Sequence, residues 1–157
     1  MMEHDSTSAA RTIVVAVDFS ACSEQALLWA VGAADCMDAR LVVLHVVHDP
    51  GSAPGYYGKT KKLGKHLRRM EDAAAEMMNK FMARMREEHP EIPGNLEHRL
   101  VTGLPANRIL EVAKEVGAQL IVMGSCGRTG IPHVLLGSKA EKVVQLSPIP
   151  VTIVKQG

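Results

Sequence analysis

Short β-branched apolar runs alternate with stretches of helical periodicity along this chain, and that alternation limits its fold more than any other feature. Residues 12–18, 41–47, 120–123 and 151–154 are near-continuous apolar segments of strand length. Such runs suit strands covered on both faces. Residues 96–101 alternate apolar with polar instead, as a half-exposed edge strand does. Between the runs, Ala26, Leu27, Ala30, Val31 and Ala34 form an apolar stripe behind an N-cap at Ser20, with Glu24 in the first turn. A second helical pattern spans residues 65–88, with Leu67, Met70, Ala74, Met77, Met78, Phe81 and Met85 on its inner side. A third runs from Pro105 to a stop at Gly117, and a fourth covers residues 138–146. A chain that alternates in this way and closes on a strand is expected to build a five-stranded parallel, doubly wound sheet with helices on both faces, Rossmann-like in class. At 157 residues the expectation is one domain, residues 12–157, behind a fraying tail of residues 1–11.

The fourth apolar run ends abruptly in glycines. Gly124, Gly127 and Gly130 fall three apart, leaving the backbone free to adopt φ > 0 and its N–H groups open to a ligand. Arg128 and Thr129 add a cation and a hydroxyl. Nine residues separate Gly127 from Gly137, and Ser138 and Lys139 then open the fourth helix. Free N–H groups at a helix start attract anions, so the stretch reads as a cradle for a phosphate chain. Its G-x2-G-x9-G-S spacing is neither a Walker A loop nor a dinucleotide fingerprint. Ser138-Lys-Ala-Glu141 also reads as a capping box. In doubly wound sheets ligands bind beyond the carboxyl ends of the strands. Asp18 ends the first apolar run and so belongs to the same edge.

Composition excludes several classes. A formal net charge of +1 gives no general case for nucleic acid or a membrane surface, and no apolar run approaches the roughly 20 residues of a membrane helix. Cys22, Cys36 and Cys126 are odd in number, lack C-x-x-C spacing and follow no apolar leader, which suits a reducing cytoplasm. Cys126 reads as a small loop residue in preference to a redox sensor. His45 and His48 give no metal-ligand pattern. The cluster of Lys59, Lys61, Lys62, Lys65, Arg68 and Arg69 reads as solvated surface, and the methionines as a flexible core stripe. No carboxylate pair for magnesium, positioned base or nucleophile–base pair stands out, so no catalytic residue is assigned and hydrolysis is expected to be slow or absent.

The glycine pattern, with Val17-Asp-Phe-Ser20, Leu44-His-Val46, Thr102-Gly-Leu-Pro105 and Pro150-Val-Thr-Ile-Val154, resembles the universal stress protein family over residues 12–155. The resemblance implies a strand order of 3-2-1-4-5 and, in the ATP-binding branch, a nucleotide held across strands one and four. It implies that Asp18 receives the adenine amino group and that the Val46 backbone pairs with the adenine edge. Gly124, Ser125, Gly127, Arg128, Thr129, Gly137, Ser138 and Lys139 then hold phosphates. The ligand implied is ATP, with or without Mg2+, and AMP or cyclic AMP would fit a variant of the same site. A homodimer through residues 150–154 and an unidentified protein partner are implied as well, for a cytoplasmic stress-response regulator. A slow ATPase is the alternative; an adenylating enzyme would need a different phosphate loop where this chain has Phe19-Ser-Ala.

Overall fold

In the computed structural model, which describes residues 10–53, 61–126 and 136–156, the alternation becomes β1 (Arg11–Ala16), α1 (Ala21–Met37), β2 (Ala39–His48), a single 3-10 turn at Pro50–Ser52, α2 (Lys61–Glu88), β3 (Glu97–Gly103), α3 (Pro105–Glu115), β4 (Leu120–Gly124), α4 (Ser138–Leu146) and β5 (Val151–Val154). The strands pair in parallel in the order β3-β2-β1-β4-β5, as the resemblance implies. Val15 of the central strand lies opposite Val43 and Val122, so the most apolar runs occupy the middle of the sheet.

Successive strand residues point to opposite faces, and here both faces are buried. On one, Ile13, Val15, Val43 and Val122 pack against Leu27 of α1 and Met78, Met82 and Met85 of α2. On the other, Val14, Val42, Leu44 and Ile121 pack against Ile109 and Val112 of α3 and Val143 of α4. α1 begins as expected: Ser20 is the N-cap and its side chain accepts from the Ser23 N–H. Arg84 of α2 bonds Glu24 in the first turn of α1 as well as Glu88, and its guanidinium lies 5.8 Å from the Phe81 ring centroid. The Glu24 carboxylate raises the Arg84 pKa above its ordinary value. The pair is partly exposed, so it orients α2 on α1 more than it stabilises either.

Four features differ from expectation. β1 starts at Arg11, and Val17 and Asp18 lie beyond its end. α2 starts at Lys61, so Gly64 sits inside a helix; packing further along outweighs its propensity cost of about 1 kcal/mol. Met82 is buried in place of Met77, which is 42% exposed. Gly137, not Ser138, is the N-cap of α4, and no side chain caps that helix, so the capping box does not form. The Gly137 carbonyl accepts from the Glu141 N–H at 2.9 Å, and the Gly137 N–H donates to the Ser125 carbonyl at 2.8 Å, so Gly137 takes the cap position while the helix itself spans the expected residues. Expectations for residues 1–9, for Lys59, and for Gly127, Arg128, Thr129 and Gly130 lie outside the described residues, as does the Lys61 side chain.

Among the described residues, no atom beyond the neighbouring helix backbone lies within 4 Å of where a Cβ would stand on Gly64. Gly64→Ala is therefore expected to stabilise the protein by about 0.5–1 kcal/mol, read as a rise in the urea midpoint.

Candidate functional site

Parallel strands end at one edge, and there β2, β1 and β4 open into a cleft of about 530 Å³. This is within the roughly 300–1,000 Å³ usual for small-molecule sites. Asp18, Val46, Gly124, Ser125, Gly137, Ser138 and Lys139 all line it. Of the sequence-derived site residues, only Gly127, Arg128 and Thr129 lie outside the described ones. α2 contributes Met70, Ala73, Ala74 and Met77, and α3 contributes Pro105 and Ile109, so part of the wall is apolar. Ser125, Ser138, Lys139 and the uncapped start of α4 make another part polar.

The loop after β1 is held by its own bonds. Asp18 Oδ1 accepts from the Ser20 N–H at 3.0 Å and from the Ser20 hydroxyl, the geometry of an Asx turn leading into α1. Phe19 is left-handed at φ 66°, which costs on the order of 1–3 kcal/mol for a bulky residue. Its ring stacks on His45 at 4.3 Å and meets Phe81 edge-on at 5.4 Å, and these contacts hold the turn in place. His45 Nδ1 lies 2.8 Å from the Val17 carbonyl. A carbonyl only accepts, so Nδ1 carries the proton. His45 thus pins the residue before Asp18 and also lines the cleft with His48.

Main-chain groups of β2 become available at the same place. The Val17 N–H donates to the Leu44 carbonyl at 2.8 Å, so Leu44 turns its peptide groups toward β1. Two residues on, Val46 turns its own the same way, past the point where β1 has ended. A ligand edge with neighbouring donor and acceptor would find both partners there.

Gly124, which lines the cleft, also has a packing role. Among the described residues the positive-φ glycines are Gly103 and Gly117, and Gly124 is not one of them. A Cβ on Gly124 would lie 2.8–2.9 Å from the Cys22 main chain and Cβ. The missing side chain lets the first turn of α1 lie against the end of β4. That approach brings Cys22 to Cys126, and the two form a disulfide with a Cα–Cα distance of 5.9 Å. Cys126 is therefore more than a small loop residue, which corrects the sequence reading.

A family model described as the universal stress protein family matches residues 9–155. The chain belongs to the universal stress protein family. Its relatives include universal stress protein MJ0531 of Methanocaldococcus jannaschii, 32% identical over 147 residues that cover 93% of this chain and 82% of that one. Among solved structures, universal stress protein UspA from Lactobacillus plantarum superposes with a TM-score of 0.76 at 28% identity, covering 92% of this chain and 97% of that one. A universal stress protein crystallised in complex with cAMP superposes with a TM-score of 0.57 at 26% identity, covering 94% and 98%. Among the described residues of this universal stress protein, no helix is long and apolar enough to cross a membrane.

Proposed function

We propose that this universal stress protein is of the ATP-binding branch, holds an adenine nucleotide in the cleft, and uses occupancy to set its dimer or partner state as a cytoplasmic stress-response regulator. One observation carries the reading: a single cleft joins a carboxylate, an apolar slot with outward-facing peptide groups, and an uncapped helix start. Asp18 suits the amino group of a purine, because a carboxylate accepts from N–H and repels phosphate. The apolar slot of Met70, Met77 and Ile109 takes the ring. Ser125, Ser138 and Lys139, with the α4 amides, take phosphate oxygens, and Gly127, Arg128 and Thr129 extend that set. The cAMP bound by a relative of the same fold supports the adenine class. ATP is preferred because the phosphate-binding set is larger than one phosphate needs. Mg2+ would enter with the nucleotide and offset its phosphate charge, since no group of three or more His, Cys, Asp or Glu that could hold a metal ion stands among the described residues. No residue is placed as a catalytic base, so turnover is slow or absent, the slow ATPase being the second reading. The homodimer forms through β5, an edge strand whose unpaired peptide groups suit a second copy.

Calorimetric titration with ATP, ADP, AMP and cyclic AMP, with and without Mg2+, tests the proposal. Micromolar ATP binding is expected, and Asp18→Ala should weaken it roughly 10- to 100-fold, about 1–3 kcal/mol for a lost charge-assisted contact. Flat titrations with all four nucleotides would overturn it.

A further inference from the structure

We propose that Cys22 and Cys126 are a reversible redox site that couples the thiol–disulfide balance of the surroundings to occupancy of the adjoining cleft. The pairing is built into the fold. The absence of a side chain at Gly124 seats the first turn of α1 against β4, and the resulting 5.9 Å between Cα atoms is within the usual disulfide range of roughly 4.4–6.8 Å. The two sulfurs differ in access. Cys22 is 1% exposed, whereas Cys126 is half-buried and lines the cleft. A thiol arriving from solvent therefore meets Cys126 first.

Reduction by a dithiol follows from that asymmetry. A reductant thiolate attacks Cys126 Sγ, the S–S bond breaks, and Cys22 leaves as a thiolate at the positive end of the α1 dipole. It takes up a proton, and the Gln156 Oε1, 3.8 Å from Cys22 Sγ, stands ready to accept from the new S–H. The reductant's second thiolate then attacks its own sulfur in the mixed disulfide and releases Cys126 as a thiolate, which is protonated. Two electrons and two protons pass to the pair, and the dithiol leaves as a cyclic disulfide. Oxidation by glutathione disulfide runs through the analogous mixed disulfide and releases two molecules of glutathione.

The bond constrains residues that line the cleft. The Ser125 N–H is held by the Val154 carbonyl and the Ser125 carbonyl by the Gly137 N–H, and the disulfide fixes the next residue against α1. The oxidised form thus presents this wall already ordered, and the reduced form must order it on binding, which weakens affinity. By linkage, nucleotide protects the bond from reduction by the same factor. This coupling rests on the nucleotide reading above, while the thiol chemistry does not.

The full chain, equilibrated across glutathione to glutathione disulfide ratios, quenched in acid and alkylated with a maleimide, should pass from one label per chain, on Cys36, to three. The oxidised protein should melt roughly 10 °C higher than the reduced one. C22S and C126S should each melt like the reduced protein and ignore the glutathione ratio, and C36S should keep the full response. ATP should bind the oxidised form roughly tenfold more tightly. Three labels at every ratio, or a bond that no ratio reduces, would overturn the redox site. Equal ATP affinity in both states would overturn the coupling. A labelling switch with no nucleotide bound in either state would leave the redox site standing and remove the nucleotide reading.

Discussion

Met82→Ala is expected to lower the unfolding free energy by about 2–5 kcal/mol, the cost of emptying a well-packed core position, while Met77→Ala changes it by less than about 0.5 kcal/mol. The two residues belong to one helix and have the same side chain, so propensity cancels from the comparison. What differs is surroundings. Met82 is 1% exposed in the layer between α2 and the sheet, beside Phe81 and Met85. Met77 is 42% exposed and borders the cleft. Urea unfolding monitored by circular dichroism checks both, with an unchanged slope showing that only stability moved. Equal losses at the two positions would mean that α2 is rotated about its axis from the orientation described. Met77→Ala should appear instead as a modest loss of nucleotide affinity, because it removes part of the apolar slot.

The same pair shows how much of the fold was legible in the sequence. A strand buried on both faces leaves an unmistakable pattern, so 12–18, 41–47, 120–123 and 151–154 give β1, β2, β4 and β5 to within two residues or so. Helix phase is harder. Along α2 the apolar residues come in adjacent pairs, Met77 with Met78 and Phe81 with Met82, and a 3.6-residue period does not choose within a pair. The lie of the helix on the sheet makes that choice, and it is a tertiary property. The start of α2 was hidden for a related reason: Gly64 reads locally as a breaker, and its cost is small beside the packing of the turns that follow.

Convergence of Asp18, Val46, Ser125 and the 137–139 segment on one cleft was also legible, because parallel strands carry their carboxyl ends to a common edge. Two features of the site were not. The capping box failed because its sequence signature takes no account of a competing partner: the Glu141 N–H that the Ser138 hydroxyl would satisfy donates to the Gly137 carbonyl instead, at 2.9 Å. The Cys22–Cys126 bond spans a sequence separation of 104, where spacing carries no signal. The implied strand order holds the clue: if β1 and β4 are neighbours, the residues just after each must meet, and both cysteines stand there.

Gly124→Val is expected to cost about 3 kcal/mol or more, at or above the top of the range for overpacking, and to abolish nucleotide binding with it. The added Cβ would lie 2.8 Å from the Cys22 carbonyl carbon and 2.9 Å from its oxygen. These are main-chain atoms of the first turn of α1, which no rotamer change can move aside. Relief requires α1 to withdraw from β4, and the withdrawal carries the Ser20 cap, the Asx turn at Asp18 and the Cys22–Cys126 bond with it. A purely ligand-facing glycine would behave otherwise. Its substitution would leave the ligand-free protein as stable as before and reduce affinity alone. Thermal unfolding of the ligand-free variant therefore decides between the two roles: a large drop in midpoint assigns Gly124 to the α1–β4 contact, and an unchanged midpoint with lost ATP binding would return it to the phosphate loop. A disulfide that still forms in Gly124→Val would count equally against the packing account, since the approach of Cys22 to Cys126 depends on the space that valine fills.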